Sequence, residues 1–418
     1  MFRAEGIPEM QKVTAALINP EEQPTSSMPL GPIRSAGEGT FRRFYHPELD
    51  ALRFFAFLCV FLHHTRSHSR VVTVTPASVD VVSRGGGSLL VQLWKTFHFS
   101  LCSGVSLFFF LSAYLITTLL IMEREKTGTI HVVAFYVRRA LRIWPLYFTY
   151  LVILLVLGWS IPVARMSIAE AFSSFGFYSN WYKILHPNET APLAAMLWSI
   201  SIEEQFYFLC PLGARMLKKT GMFISCWLAL ASSCLLLYWL GAHGKFEDSY
   251  LRFNTFVQAL FLVGGALTAL VIQKRDIRTP LIIRPLILAA GLGAWLIAFL
   301  KFGTVSSAAT FSTSHPLLHY LMTLLGVILI FFAFFDLDAK WIPRQVIYLG
   351  KISYGLYIWH IIANWASEQV FGGTAVSFAL PIIAFAATIV ISSCSYRWLE
   401  KPFLSLKERF TFVQSRSA

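Results

Sequence analysis

The chain has 418 residues, of which 56% are hydrophobic and only 14% are charged. A soluble globular protein has roughly 25% charged residues, so this composition excludes a water-exposed globular domain and indicates a protein embedded in lipid. The formal net charge of +13 also occurs in nucleic-acid-binding proteins. Here the basic residues lie between long apolar runs, as the topology rule for membrane proteins predicts, so no nucleic-acid partner is expected.

The six cysteines all lie inside apolar runs, and none forms a Cys-x-x-Cys pair. This placement favours small buried side chains over a disulfide framework or a zinc site. We therefore predict no metal centre and no tightly bound cofactor.

A polar stretch precedes the first apolar run and contains Pro20, Pro24, Pro29 and Pro32. We predict that residues 1–45 form a flexible cytoplasmic N-terminal tail. About ten apolar segments follow, each close to the roughly 20 residues that cross a bilayer as a helix. Their approximate bounds are 50–66, 98–121, 143–161, 197–213, 222–240, 255–272, 282–300, 317–335, 345–365 and 375–396.

Unpaired backbone groups are not tolerated in lipid, so each span is expected to be a helix. The predicted fold class is all-α, a polytopic transmembrane helical bundle of about ten helices. The membrane domain is expected over residues 46–400, and residues 401–418 are expected to form a short cytoplasmic tail.

Basic residues are concentrated on one side of the predicted bundle. This side includes both termini and holds most of the 35 Lys and Arg residues. By the positive-inside rule it is cytoplasmic, and an even number of spans places both termini there. We expect a multi-pass protein of the cell (inner) membrane, with the lipid bilayer as a partner. The sequence indicates no particular oligomeric state.

Charged side chains inside a span cost about 2.5–3.5 kcal/mol on insertion scales, so each needs a reason. In the first span, Arg53 and His64 are separated by three helical turns and share a face, about 16 Å apart along the axis. Asp50 lies one turn before Arg53. Asp50 and Arg53 either pair to anchor the end of the helix or line a site together with His64. His63 is the competing histidine, but it points roughly 100° away from this face.

The second span carries small residues between Gly104 and Thr117. They either permit close helix packing or allow a helix that includes Ser112 to line a cavity. At the inner end of the third span, Arg139 and Arg142 share a face. Two guanidinium groups one turn apart suit a phosphate, because each can donate a pair of hydrogen bonds. The alternative is a basic cluster that only sets the topology.

The fourth span contains Trp198, Ser199, Ser201, Glu203 and Glu204. Ser199 and Glu203 are neighbours one turn apart on the same helical face. Two adjacent carboxylates on an apolar span predict either a functional site or a structural polar network.

The ninth span carries one polar stripe, because Ser353, Tyr357, His360 and Asn364 recur at helical spacing. Tyr354 lies next to this stripe. The stripe is expected to face away from lipid, where it either lines a site or makes helix–helix hydrogen bonds.

These residue types together predict acyl transfer. A histidine such as His64 can take a proton from a hydroxyl group near neutral pH, and a carboxylate such as Glu203 can orient it. The arginine pair can hold the phosphates of a carrier such as coenzyme A. A proton-coupled transporter or exporter of a glycoconjugate also uses buried histidine, glutamate and arginine. That transporter is the alternative hypothesis.

The same segments resemble, in order, the integral-membrane acyltransferase family 3, whose members O-acylate surface glycans and related acceptors. The resemblance covers about residues 46 to 405. It rests on Leu-Asp-x-Leu-Arg at 49–53 with a histidine eleven residues after the arginine, Phe-Phe-x-Leu-Ser at 108–112, Arg-Arg-x-x-Arg-Ile-x-Pro at 138–145, Trp-Ser-x-Ser-x-Glu-Glu-Gln-Phe-Tyr at 198–207, Ile-Ser-Tyr-Gly-Leu-Tyr-Ile-Trp-His at 352–360 and Glu-Lys-Pro-Phe at 400–403.

The resemblance implies ten core helices, acyl-CoA (most commonly acetyl-CoA) as co-substrate, and a carbohydrate or glycolipid hydroxyl group as acceptor. It implies that His64 is the essential base and that Arg139 and Arg142 contact the donor. It also implies that Arg53 and Glu203 line the site.

Two positions depart from the family pattern, since Ala113 stands where glycine is usual and Ser106 where aspartate is frequent. Neither touches the histidine, so they concern substrate fit. Many relatives carry an additional soluble hydrolase-like domain that completes the transfer outside. No such domain is visible in this sequence, so transfer is expected to finish within the membrane domain.

Overall fold

Helices make up most of the polypeptide. The computed structural model describes residues 46–67, 89–187, 189–243, 248–273, 275, 277–305, 311–313, 315–372 and 379–411. The predicted tail 1–45 and the last part of the predicted C-terminal tail, residues 412–418, lie outside these ranges. The helices are α1 (Pro47–Ser67), α2 (Leu89–Ser100), α3 (Gly104–Thr127), α4 (Val132–Leu157), α5 (Ile168–Phe175), α6 (Ser179–Leu185), α7 (Leu197–Met216), α8 (Lys219–His243), α9 (Asp248–Phe253), α10 (Thr255–Ile272), α11 (Arg284–Lys301), α12 (Pro316–Phe334), α13 (Arg344–Lys351), α14 (Ser353–Phe371), α15 (Leu380–Ser395) and α16 (Lys401–Lys407).

Two short strands interrupt the helices. Strand β1 (Gly303–Val305) pairs antiparallel with β2 (Phe311–Thr313), with Gly303 opposite Thr313. The described residues otherwise form helices and their connections, so the predicted polytopic helical bundle is confirmed.

Among the described helices, seven are long and apolar enough to cross a membrane, and a bent pair, α13 and α14, gives an eighth candidate. The seven segments are Leu93–Thr127, Val132–Leu157, Lys219–His243, Thr255–Ile272, Leu281–Lys301, Pro316–Phe334 and Leu380–Lys407. The predicted count of ten spans and the predicted orientation of the termini remain predictions.

Helices α1 and α7 are long as well but carry the charged residues of the first and fourth predicted spans. In α1, Leu52, Ala56 and Phe57 are completely buried, because the helix packs against α3, α13 and α14. In α7, the buried side chains include Ser199 and Ser201. Helix α7 also exposes apolar side chains such as Phe208 and Leu209. It is therefore the polar face of these helices that packs inside the bundle, as the cost of exposing ionised groups to lipid requires.

The predicted ninth span, 345–365, corresponds to two helices instead of one. The chain bends by 76° between α13 and α14. Gly350, near the end of α13, lies directly on the backbone of Asp50 in α1, and a β-carbon at this glycine would overlap the Asp50 carbonyl group. Hydropathy alone does not reveal the bend, because it reports composition and not the direction of the chain at Ile352, between Lys351 and Ser353.

Close backbone contacts also join α3 to its neighbours. A β-carbon at Gly104 would lie 2.7 Å from the carbonyl oxygen of Ala56 in α1. A β-carbon at Gly265 of α10 would overlap the backbone carbonyl group of Phe110 in α3. Small residues thus let three helices approach closely, which is the packing alternative that the sequence indicated for the second span.

We predict that Gly265→Ala destabilises the bundle by about 1–3 kcal/mol, because the added methyl group forces α3 and α10 apart. Gly293→Ala in α11 is the matched control, since a β-carbon there meets no described atom within 4 Å. Thermal unfolding of the detergent-solubilised protein measures both variants. A midpoint for Gly265→Ala equal to that of the control would contradict the packing described.

Candidate functional site

A cavity of about 210 Å³ lies inside the bundle among α1, α3, α4, α7 and α14. Most of the predicted site residues line it, although they belong to helices far apart in the sequence. They are Asp50, Arg53, Ser112, Arg139, Arg142, Ser199, Glu203, Tyr354 and Tyr357. The bundle therefore gathers charged residues from three separate motifs, and polar residues from two more, around one internal space.

One end of the cavity is basic. Arg139 and Arg142 extend from the first half of α4 into the cavity wall. The guanidinium carbon of Arg139 lies 5.2 Å from the ring centre of Tyr207 and 5.5 Å from that of Phe135. These cation–π contacts hold the Arg139 guanidinium group against the two aromatic rings. Its planar N–H groups remain suited to an anionic ligand.

The C-terminal segment contributes side chains that sequence reasoning missed. Lys407 of α16 and Thr411 line the cavity together with the arginines. Arg138 holds this segment, since it donates to the carbonyl of Phe410 at 2.6 Å and pairs with Glu123 at 2.8 Å. No motif signals the arrangement, because only the packing of α16 against α4 brings these residues together.

Glu203 occupies the middle of the cavity wall. Ser112 of α3 donates to its Oε1 at 2.9 Å, and Tyr207 donates to its Oε2 at 3.1 Å. Both carboxylate oxygens therefore accept a hydrogen bond within the bundle. Tyr207 was not predicted as a site residue, although its position one turn after Glu203 offered a signal.

Asp50 and Arg53 form an ion pair in the same cavity. The distance between Arg53 Nη1 and Asp50 Oδ1 is 3.0 Å. The sequence left open whether these residues pair or line a site; in the structure they pair and also line the cavity. Tyr354 joins the wall and donates to the carbonyl of Ile143 at 2.9 Å, which ties α14 to α4.

The two adjacent carboxylates of α7 point in different directions. Glu204 receives a long hydrogen bond of 3.4 Å from the indole of Trp144, and its Oε1 is buried with no hydrogen-bond partner among the described residues. Glu204, Trp198 and Ser201 are absent from the described lining of the cavity. The Trp198 ring packs on Phe109, with ring centres 6.0 Å apart.

A pair of histidines lies beyond the other end of the cavity. Ser199 and Tyr357 share a hydrogen bond of 2.6 Å in the cavity wall. His360, one turn after Tyr357 on α14, lies with its Nε2 3.3 Å from Nδ1 of His64 on α1. Neither histidine is among the described residues that line the cavity, so Tyr357 connects the cavity to the imidazole pair. His63 lies on the other side of His64, with ring centres 5.1 Å apart.

The segment between α4 and α7 anchors the helix that carries Glu203. Ser179 and Ser201 share a hydrogen bond of 2.8 Å. Gln205 donates to the carbonyl of Phe177 at 2.9 Å and accepts from Thr255 at 2.6 Å. These contacts fix α7 on both sides of its carboxylates, and this is the role that the structure gives to Ser201.

A buried carboxylate holds the segment that precedes α7. Both oxygens of Glu170, in α5, accept from the backbone N–H of Ala191, at 2.9 and 3.1 Å. Burial raises the pKa of Glu170 to about 7, against the opposing effects of the Ala191 hydrogen bond and the nearby Lys183 charge. Burial also lowers the pKa of Lys183 to about 8.

The fold and this cavity define a multi-pass membrane protein with an internal charged site that leads from a cluster of cations to a histidine pair. A family model described as an acyltransferase domain matches residues 46–397. The chain therefore belongs to this family of acyltransferases.

Three curated relatives illustrate the similarity. The peptidoglycan O-acetyltransferase OatA of Listeria monocytogenes is 28% identical over 331 residues, which cover 72% of this chain and 50% of the relative. The O-acetyltransferase OatA of Staphylococcus aureus strain NCTC 8325 is 27% identical over 381 residues, or 86% of this chain and 57% of the relative. A protein of strain MSSA476 that is provisionally named an O-acetyltransferase is 26% identical over 387 residues, with the same shares of 86% and 57%.

The chain thus spans between half and three fifths of the length of these relatives. No solved structure matches the chain.

We predict that Glu170 makes stability depend on pH. Its pKa is raised from 4.5 to about 7 in the folded protein, so the folded state holds this proton more tightly than the unfolded state. The resulting stabilisation is complete below pH 4.5 and is lost as the pH rises through 7. Glu170→Gln removes this ionisation, so its unfolding midpoint should fall less than that of the wild type between pH 5 and 8.

Thermal scans at pH 5, 6, 7 and 8 measure the difference. The control is Glu189→Gln in the same segment, where the carboxylate is 65% exposed. If the unfolding midpoint of Glu170→Gln falls with pH as steeply as that of the wild type, the burial of this carboxylate has no energetic consequence.

Proposed function

We propose that this protein is a membrane-bound O-acyltransferase that moves an acetyl group from acetyl-CoA to a hydroxyl group of a carbohydrate or glycoconjugate acceptor. His64 is the general base in this proposal. The observation that carries the proposal is the layout of the cavity in a chain that belongs to an acyltransferase family. Cations lie at one end of the cavity, and the histidine pair lies beyond the other end.

The basic end of the cavity supports a phosphate-rich donor. Arg139, Arg142 and Lys407 contribute three cations, and coenzyme A carries a diphosphate and a 3′-phosphate. Arginine suits these groups because its fork of N–H donors binds two oxygens at once. The acyl-pantetheine arm, which is narrow and largely uncharged, extends along the cavity towards Ser199 and Tyr357.

The reaction at the histidine end is an ordinary acyl transfer. His64 takes the proton of the acceptor hydroxyl group as its oxygen attacks the thioester carbonyl carbon. A C–O bond forms, the C–S bond breaks, and the proton on His64 passes to the departing sulfur. The products are an acetyl ester and free coenzyme A, so no other reactant is needed.

The relatives support the choice of acyl group and acceptor. They carry names as O-acetyltransferases, and one is named a peptidoglycan O-acetyltransferase. If the basic end faces the cytoplasm, as the positive-inside rule predicts, the donor is supplied from the cytoplasm. The histidine pair, near the end of α1 far from Asp50, then meets acceptors of the outer face.

We predict that His64→Ala lowers kcat by at least about 10²-fold, because general-base catalysis contributes a factor of this size. The purified protein, acetyl-CoA and a panel of cell-envelope glycan fragments are mixed, and release of free coenzyme A thiol is followed. His63→Ala is the matched control, because this neighbouring histidine is buried in the same helix. Loss of activity in His63→Ala together with full activity in His64→Ala would reverse the assignment of the base.

We predict that Arg142→Ala raises KM for acetyl-CoA by roughly 10- to 100-fold, since a charge-assisted hydrogen bond contributes about 1.5–3 kcal/mol. The value of kcat should change much less, because Arg142 lies at the basic end of the cavity and His64 lies beyond the other end. Arg215→Ala is the control, as Arg215 is an exposed cation in the last turn of α7. Equal KM values for the two variants would place the donor phosphates elsewhere.

A further inference from the structure

The two histidines beyond the cavity, His64 and His360, come from opposite parts of the chain, and their rings meet at a tilt of 54°. His64 is on α1, and His360 is on α14 with a completely buried side chain. Their ring centres are 5.1 Å apart, and Nε2 of His360 lies 3.3 Å from Nδ1 of His64. Phe57 packs against the His360 ring in a T-shaped contact at 6.1 Å. The pair is therefore held by side chains of both helices.

The contacts of His360 assign its tautomer. Its Nδ1 lies 2.6 Å from the carbonyl oxygen of Tyr357, one turn earlier in the same helix. A carbonyl oxygen only accepts hydrogen bonds, so Nδ1 of His360 carries a proton and donates it. In the neutral ring, Nε2 then has a lone pair that faces His64.

The contacts of His64 lead to a matching assignment. Its Nδ1 lies 2.9 Å from the carbonyl oxygen of Val60, which is again an acceptor. Nδ1 of His64 therefore carries a proton, which is shared between this carbonyl and Nε2 of His360. The arrangement is self-consistent, because two N–H groups would repel each other at this distance. It leaves the lone pair of His64 on Nε2.

From this geometry we infer that His360 is a positioning residue for acyl transfer, which holds His64 in the tautomer whose basic atom is Nε2. The inference rests on the proposed function, because it assigns a role within the same site. Once Nε2 has taken the proton of the acceptor hydroxyl group, the Nδ1–H of His64 becomes a charge-assisted donor to His360. The second imidazole thus also stabilises the charged form of the base.

This role is the one that a carboxylate fills in many histidine-dependent enzymes. The sequence suggested Glu203 for it, but Glu203 accepts hydrogen bonds from Ser112 and Tyr207 in the cavity wall. The hydrogen bond between Ser199 and Tyr357, on the turn before His360, fixes α14 against α7. The same contact therefore positions the imidazole pair relative to the cavity.

Two amide substitutions separate the two hydrogen bonds of His360. In His360→Gln, the longer side chain can place its amide oxygen near the position of Nε2, where it accepts from His64. In His360→Asn, the shorter amide can still donate to the Tyr357 carbonyl but does not reach His64. If His360 has only a structural role, His360→Asn should be the more active variant. If His360 positions His64, His360→Gln should be the more active variant.

We expect His360→Asn to lower kcat for thiol release from acetyl-CoA by about 10²-fold, the usual cost of a misplaced catalytic group. His360→Gln should retain at least about ten times more of kcat than His360→Asn. KM for acetyl-CoA should stay the same in both, since Arg139 and Arg142 hold the donor. His319→Gln is the control: His319 is also buried, and its Nδ1 lies 3.0 Å from the carbonyl oxygen of Ala298. This variant should keep the wild-type kcat.

A second measurement does not depend on the folding of any variant at position 360. Nitrogen-15 spectra of the wild-type protein with labelled histidine report which ring nitrogen of His64 is protonated, and the signal is assigned by its loss in His64→Gln. We expect proton on Nδ1 and none on Nε2. A proton on Nε2 of neutral His64 would overturn the inference.

The outcomes distinguish this inference from the proposed function. If His64→Ala keeps full activity, the proposed base is wrong and the positioning role falls with it. If His64→Ala is inactive while His360→Asn and His360→Gln are equally active, the base stands and the positioning role is overturned. If His360→Asn is more active than His360→Gln, the residue acts only through its contact with Tyr357.

Discussion

The cost of exposing ionised side chains to lipid is the constraint on which the rest of this structure depends. Asp50 and Arg53 on α1 and Glu203 on α7 each would cost about 2.5–3.5 kcal/mol at mid-membrane. The bundle turns the polar faces of both helices inwards and compensates the charges by an ion pair of 3.0 Å and by hydrogen bonds from Ser112 and Tyr207. The cavity is the space that remains between these compensated groups.

Close backbone packing makes this enclosure possible. Gly104 lets α3 approach α1, and Gly350 lets α13 cross α1 directly at Asp50. The second contact coincides with the bend of 76° before α14. The bend directs α14 along the cavity, so that Tyr354, Tyr357 and His360 follow one another from the cavity wall to the histidine pair.

Much of this arrangement could be predicted from the sequence, because apolar length and helical spacing are local properties. The polar stripe of α14 is buried throughout, with Ser353, His360 and Asn364 each at most 5% exposed. The start of α4 at Val132, well before the predicted 143, was missed because its first turns carry the arginines and dilute the apolar signal. The cavity-lining position of Lys407 was missed because it follows from tertiary packing alone.

The contact between His64 and His360 could not be predicted for the same reason. The two residues are separated by 296 positions in the sequence. Each lies on a different helix, and helical spacing relates residues only within one helix. The sequence predicted that both belong to a site, but it suggested a carboxylate as the partner of the proposed base. Only the crossing of α1 and α14 brings one imidazole to the other.

The most direct test of the account is a cryo-electron microscopy structure of the protein in a lipid nanodisc with a non-hydrolysable acetyl-CoA analogue. We expect the phosphates to lie against Arg139 and Arg142, and the pantetheine arm to follow the cavity past Ser199 and Tyr357. The acetyl carbonyl carbon should then lie within reach of an acceptor oxygen that is hydrogen-bonded to Nε2 of His64. An analogue bound elsewhere, or bound with its acetyl group turned away from the histidine pair, would contradict the account.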